Sequence, residues 1–174
     1  MNDQSGDNGE RGMGKWMIIL AWLSGLALLA MVFDDLLERQ VNPNASPQSV
    51  YRGSAVEVTL EQNRYGHYVT SGTINGQPVT FLLDTGATNV SIPAHLAARL
   101  GLNAGPRYRV NTANGQITVA STHIDRLAIG DLQLNDIDAH LNPAINSDEI
   151  LLGMSALRQL EFTQQGKWLT LRSR

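Results

Sequence analysis

Apolar and polar residues are distributed in three different ways along this chain, and each predicts a different kind of segment. From Trp16 to Phe33 there are 18 consecutive residues without charge. A helix needs roughly 20 mostly apolar residues to cross the hydrocarbon core of a bilayer, so this run is long enough to span. From Asp34 to Ala55 the apolar period disappears. The stretch Asn42-Pro43-Asn44-Ala45-Ser46-Pro47-Gln48-Ser49 reads as a tether, because two prolines among small polar residues favour neither helix nor strand. From Val56 to Arg174 short apolar runs alternate with turn residues, which is the pattern of strands. The expected organisation is therefore an N-terminal segment 1–15, a transmembrane anchor 16–33, a linker 34–55 and a folded domain 56–174.

Within the folded domain, His67 to Ile74 and Val79 to Leu83 flank Asn75-Gly76-Gln77-Pro78. Asn-Gly between two strand-like runs is a strong cue for a tight hairpin. Arg107 to Asn111 and Gln116 to Ser121 flank a second Asn-Gly, at Asn114-Gly115, and predict a second hairpin. Ile124 to Ile129, Leu132 to Leu134 and Ile137 to Leu141 follow as short strands, separated by Gly130-Asp131 and Asn135-Asp136. A last hairpin joins Glu161 to Gln164 and Trp168 to Arg172 through Gln165-Gly166-Lys167. Two short helices interrupt the strands. Pro93 to Leu100 has good helix formers with Pro at its start and Gly101 at its end, and Ser155 to Leu160 reads as a shorter one with Ser155 as its N-cap. So many short strands predict an all-β domain, closed or sandwiched.

Composition narrows the function. A net charge of -3, with Lys and Arg spread thinly, gives no basic face for DNA or RNA, so no nucleic-acid partner is expected. There is no cysteine, which excludes thiol catalysis, disulfides and Cys-based zinc sites. His67, His95, His123 and His140 show no metal-ligand spacing and read as surface or satisfied polar residues, so neither metal nor cofactor is expected. Arg11 and Lys15 precede the apolar run, whereas Asp34, Asp35 and Glu38 follow it. The positive-inside rule then leaves the basic end in the cytoplasm and sends the domain outward. A cleaved signal peptide is the rival reading, but its apolar region is shorter and ends at A-x-A spacing, which Ala27-Leu28-Leu29-Ala30-Met31 lacks. The Asn44-Ala45-Ser46 sequon signals glycosylation only on a eukaryotic secretory route.

The candidate chemistry lies at Asp84. It is the only charged residue between Arg64 and Arg99, placed where the run Val79 to Leu83 ends. A carboxylate in a segment suited to burial must be paired, hydrogen-bonded or neutralised. Capping a turn is the ordinary use of an Asp in that position. Amide cleavage offers another use, in which two carboxylates hold one water and share one proton, one acting as base and the other as acid. One chain supplies one such residue, because no second Asp-Thr-Gly or Asp-Ser-Gly occurs. The second would come from another copy, with the site on the two-fold axis of a homodimer.

Phe81-Leu82-Leu83-Asp84-Thr85-Gly86-Ala87-Thr88 resembles the catalytic loop of retropepsin-like aspartic proteases. Further on, Glu149-Ile150-Leu151-Leu152-Gly153-Met154 is similar to the apolar-apolar-Gly element that packs beneath that loop in the family, and Asn114-Gly115 falls where the family places its flap. The resemblance implies a closed acid-protease barrel with one or two short helices. It implies a catalytic role for Asp84, support of the active-site loop by Thr85, Gly86 and Ala87, and a loop-packing role for Leu151, Leu152 and Gly153. Thr112, Ala113, Asn114 and Gly115 would form the flap over an extended peptide substrate. Retroviral members dimerise through chain termini, and here the end from Trp168 to Arg174 is the candidate. The chain looks like the membrane-anchored bacterial members of the group, which implies a single-pass protein of the inner membrane with a periplasmic domain. The alternative within the same fold is a dimeric module that grips peptides by strand addition without cleaving them.

Overall fold

A computed structural model of the protein describes residues 8–112 and 115–174. The chain divides into two compact units, one up to Glu38 and the other from Arg39 to Arg174. The first is carried by helix α1 (Asn8–Val41). Within it, Lys15–Phe33 is long and apolar enough to cross a membrane. Trp16, Leu20, Leu26 and Phe33 are all exposed, and the helix is apolar on every side along this stretch.

The second unit begins earlier than the hydrophobic pattern implies. Strand β1 (Ser49–Arg52) pairs antiparallel with β2 (Ala55–Glu61), so 34–55 is not a free tether along its length. Asn44 is buried, and its side chain completes backbone hydrogen bonding that would otherwise be open. Its Nδ2 donates to the carbonyls of Glu61 (2.9 Å) and Val69 (2.7 Å), while its Oδ1 accepts from the amide of Glu61 (2.7 Å). This docking uses hydrogen bonds rather than apolar burial, which is why no apolar period announces it. With both amide protons engaged, the Asn44 nitrogen is closed to glycosylation in the folded chain.

From Val69 onward the chain builds a barrel. Strands β3 (Val69–Ile74) and β4 (Gln77–Leu83) form the first hairpin, turning at Asn75 (φ 49°) and Gly76 (φ 80°). Two successive positive φ values make the tight turn that Asn-Gly favours. Next come β5 (Val90–Pro93), β6 (Arg107–Thr112), β7 (Gly115–Ile129), β8 (Leu132–Asn142) and β9 (Glu149–Leu152). Their order in the sheet is β3-β4-β9-β5-β8-β7-β6, and β7 also pairs with β3 through Thr73↔Ala128 and Ile74↔Leu127. That last pairing closes the ring. Gly72 sits at the closure, where a Cβ would collide with the Ala128 carbonyl and lie 2.7 Å from the Phe81 ring. Phe81, Ile92, Ile124, Leu127, Ile137, Ile150 and Leu152 fill the interior and are wholly buried.

A short helix α2 (Met154–Leu157) follows β9, and β10 (Leu160–Gln165) and β11 (Trp168–Ser173) complete a second sheet in the order β1-β2-β11-β10. The turn spacing predicts an all-β domain, closed or sandwiched, and the fold that forms is the closed barrel that the resemblance implies. Three local expectations change. The runs 116–121 and 124–129 are one strand, and so are 132–134 and 137–141, because a single register from Ile129↔Leu132 to Ala120↔Leu141 carries the pairing past Asn135-Asp136. Asp136 absorbs the irregularity with φ 55°. The helix expected over Pro93 to Leu100 shrinks to a 3-10 turn at Ala94–Leu96, since burying both Leu96 and Leu100 takes precedence over helix propensity.

Replacing Asn44 by Ala strands two carbonyls and an amide at partly buried positions, each costing about 1 kcal/mol or more. The Asn44→Ala barrel is expected to lose roughly 2–4 kcal/mol in urea unfolding, with the helical content of the N-terminal segment unchanged.

Candidate active site

Asp84 leaves the C-terminal end of β4, where that strand runs parallel to β9 in the register Leu82↔Leu151 and Leu83↔Leu152. Its amide donates to the Leu152 carbonyl (3.2 Å), which fixes where the turn begins. The turn then folds back on the carboxylate. Gly86 N–H donates to Asp84 Oδ1 (2.8 Å) and Ala87 N–H to the Asp84 carbonyl (3.2 Å). Oδ1 therefore caps the turn, the ordinary structural use of an Asp in that position. Among the described residues Oδ2 accepts nothing. A Cβ on Gly86 would sit 3.1 Å from Oδ1, so glycine there keeps the carboxylate approachable. Asp84 is half-buried, and Thr85 and Gly86 are exposed on an open face.

Leu151 and Leu152 end β9 beside this turn, and Gly153 follows them. Met154 N–H donates to the Ala87 carbonyl (2.8 Å) and Ser155 N–H to the Thr88 carbonyl (2.9 Å). At Gly153 a Cβ would collide with the Asn89 carbonyl and come within 2.8 Å of the Ala87 carbonyl. Ser155 differs from expectation. The N-cap of α2 is Gly153, and the Ser155 hydroxyl instead accepts the buried amide of Val90 (3.0 Å). A hydroxyl inside the first turn of α2 thus holds the far end of the Asp84 loop.

The second predicted hairpin forms between β6 and β7 in a register ending at Thr112↔Gly115. Thr112 Oγ1 donates to the Gly115 carbonyl (2.8 Å). The tip residues Ala113 and Asn114 lie outside the described residues, as do 1–7 of the N-terminal segment. The hairpin base is fastened by Gly105 N–H to the Ser121 carbonyl (2.7 Å) and by Ser121 N–H to the Pro106 carbonyl (2.9 Å). A cleft of about 580 Å³ lined by Asn75, Arg99, Asp125 and Arg126 sits at the opposite end of the β3–β4 hairpin, away from the carboxylate.

Sequence reasoning missed a buried polar cluster beside the loop. His140 Nε2 lies 2.9 Å from Ser91 Oγ, Asn142 Nδ2 donates to the same oxygen (3.3 Å), and His140 Nδ1 is 3.4 Å from the Tyr108 hydroxyl. Tyr108 Oη is in turn 3.5 Å from Nδ2 of Asn89, in the catalytic loop. Burial lowers the His140 pKa from its ordinary 6.5. The other three histidines are exposed. Strand alternation could not single out His140, because Ala139 to Asn142 are all buried at the end of β8.

Ala at position 153 is expected to force the loop off β9 and cost roughly 3 kcal/mol, measured by thermal or urea unfolding of Gly153→Ala. His140 gives a pH signature. As pH falls below 6.5 the unfolded chain takes up a proton that the buried ring resists, so the stability present above 6.5 is lost as the pH drops toward the lowered folded value. The urea midpoint should therefore fall more between about pH 7.5 and 5.5 in the natural chain than in His140→Gln.

Known proteins bear on this geometry. Residues 70–159 match the model of a family described as "gag-polyprotein putative aspartyl protease". The chain is 34% identical over 111 residues to an uncharacterized protein from the cobV 5′ region of Sinorhizobium sp, covering 62% of this chain and 48% of that one. It is 27% identical over 108 residues to an uncharacterized protein of Rickettsia prowazekii, covering 60% of this chain and 46% of that one. The chain thus spans about half the length of these curated relatives. A crystal structure of a retropepsin-like aspartic protease from Rickettsia conorii superposes with a TM-score of 0.57 at 26% identity, covering 74% of this chain and 96% of that one. A family match across the Asp84 turn, β9 and α2, together with this structural likeness, establishes that the chain belongs to the retropepsin-like aspartic proteases.

Proposed function

We propose that the protein is a membrane-anchored aspartic endopeptidase, active as a homodimer with one catalytic Asp84 per chain. The observation that carries this reading is the Asp84 carboxylate itself: Oδ1 is tied to Gly86 N–H while Oδ2 is left open on an accessible face. In the dimer two such carboxylates face each other across the two-fold axis and share one proton. The ionised one takes a proton from a water as the water oxygen attacks the peptide carbonyl carbon. The protonated one gives its proton to the carbonyl oxygen. Collapse of the tetrahedral diol breaks the C–N bond, with a proton returned to the leaving amine. Thr85 braces the two loops, Gly86 contributes backbone donors, and the β6–β7 hairpin, with Thr112 to Gly115 at its tip, covers an extended substrate.

The dimer surface in this proposal differs from the end suggested by the sequence. Strand β11 is paired on both sides, with β2 and β10, whereas β10 forms the sheet edge and exposes Phe162. An unpaired edge bearing an aromatic residue supports strand pairing between copies along Leu160–Gln165. For the anchor, Lys15–Phe33 supports a single span, and the basic residues before it favour a cytoplasmic N-terminus and a periplasmic domain in a bacterial inner membrane. Tethering both copies to one membrane raises their effective concentration.

The full-length chain in detergent micelles is expected to cleave an unfolded protein, with Asp84→Ala folded, dimeric and at least 10²- to 10⁴-fold slower, roughly the contribution of one acid–base group. Retained activity in Asp84→Ala would sink the proposal, and so would a strictly monomeric chain that still cleaves. Peptide binding without cleavage by either protein would establish the binding-module alternative instead.

A further inference from the structure

Six polar side chains are buried among the described residues, and three of them, Ser91, His140 and Asn142, stand together at one end of the barrel. Their hydrogen-bond directions can be worked out. Asn142 Oδ1 accepts from Ala144 N–H (2.9 Å), which turns Nδ2 toward Ser91 Oγ as a donor. We assign the Ser91 hydroxyl as donor to His140 Nε2 (2.9 Å), the tautomer that makes every contact of the cluster run in one direction. With Nε2 as acceptor, the single proton of the neutral ring sits on Nδ1, facing the Tyr108 oxygen at 3.4 Å. That oxygen is free to accept from Asn89 Nδ2 as well, at 3.5 Å. The two rings meet edge to face, at 82° with centroids 6.3 Å apart, which holds the imidazole in this orientation.

The direction of the chain is uniform, from Asn142 through Ser91 and His140 to Tyr108, so each bond strengthens the next. No carboxylate or cation interrupts it. The residues bonded to or paired with His140 are Tyr108 of β6, Ser91 of β5 and Ser121 of β7. The burial that keeps the ring neutral also preserves its role as both donor and acceptor. The shortest contact is Ser91 to His140 at 2.9 Å, and the two at Tyr108 are 3.4 and 3.5 Å. Tyr108 is the second residue of β6, where the hairpin leaves the body, and Asn89 immediately precedes β5 in the catalytic loop.

We propose that Tyr108 is a positioning residue whose hydroxyl, oriented by His140 and Ser91, ties the base of the β6–β7 hairpin to the catalytic loop at Asn89. The tie sets the height of the gap in which an extended peptide is held over Asp84. The use of that gap rests on the protease reading, whereas the tie itself does not. Tyr108→Phe keeps the ring and removes only the hydroxyl, which makes it the direct test. Hydrogen exchange of the full-length chain in detergent micelles is expected to accelerate about fivefold at amides 107–112 and 87–91, the equivalent of one lost hydrogen bond, with β4, β10 and β11 unchanged. The nitrogen resonances of His140 should shift while those of His67, His95 and His123 stay in place. In peptide cleavage KM should rise about fivefold with kcat within about twofold, as befits a residue that acts on substrate placement. Unchanged exchange at 107–112, or an equal acceleration across the whole barrel, would overturn the proposal. If the natural chain cleaves nothing, the protease reading fails and the exchange comparison still decides the tie.

Discussion

The contact on which the site depends is backbone against backbone at Gly153. The carbonyls of Ala87 and Asn89 occupy the space a side chain would need there, and the amides of Met154 and Ser155 bind the carbonyls of Ala87 and Thr88. Main-chain groups of one strand end therefore hold main-chain groups of the Asp84 loop. Such a joint has few rotatable bonds, so it transmits the rigidity of the barrel core directly to the carboxylate. Leu152, wholly buried, anchors the joint from below while its carbonyl receives the Asp84 amide from the side. The site is precise because it is built at the edge of the core, with almost no side chain between the loop and its support.

Elements defined by short-range chemistry were legible in the sequence. Asn75-Gly76 needs only its own φ values to make a hairpin, and Asp84-Thr85-Gly86 with Gly153 shows a turn and the space beneath it. Less visible were features that depend on partners far along the chain. Asn44 docks on Glu61 and Val69, and Ser91, His140 and Tyr108 come together from three strands. Single polar residues at such positions have no period and look like surface. The segment Pro93 to Leu100 failed for the opposite reason: its local preference for helix was real, but closing the barrel over Leu96 and Leu100 mattered more.

The polar residues divide by distance from the carboxylate. Gly86 and Ala87 act on Asp84 directly through their amides, Ser155 acts on the end of the loop through Val90, and the His140 cluster reaches the loop at Asn89. The apolar core sets the shape of the barrel, while these hydrogen bonds choose the one loop geometry among those the shape would admit. This division explains why a half-buried carboxylate can sit in a fold so dominated by Leu, Ile and Val.

The docking of Asn44 has a consequence for how this protein can be divided. The barrel's outer hydrogen bonds at Glu61 and Val69 are completed by a residue that lies only three positions past the end of α1. A shortened form of the chain must therefore retain Asn44, and a cut made even a few residues later removes a structural part of the fold. The contacts that fold the second unit begin earlier still, at the end of α1, where the carbonyls of Gln40 and Val41 accept from Arg64 N–H (3.4 Å) and Asn63 Nδ2 (3.0 Å), so the last turn of the helix belongs with the fold that follows it.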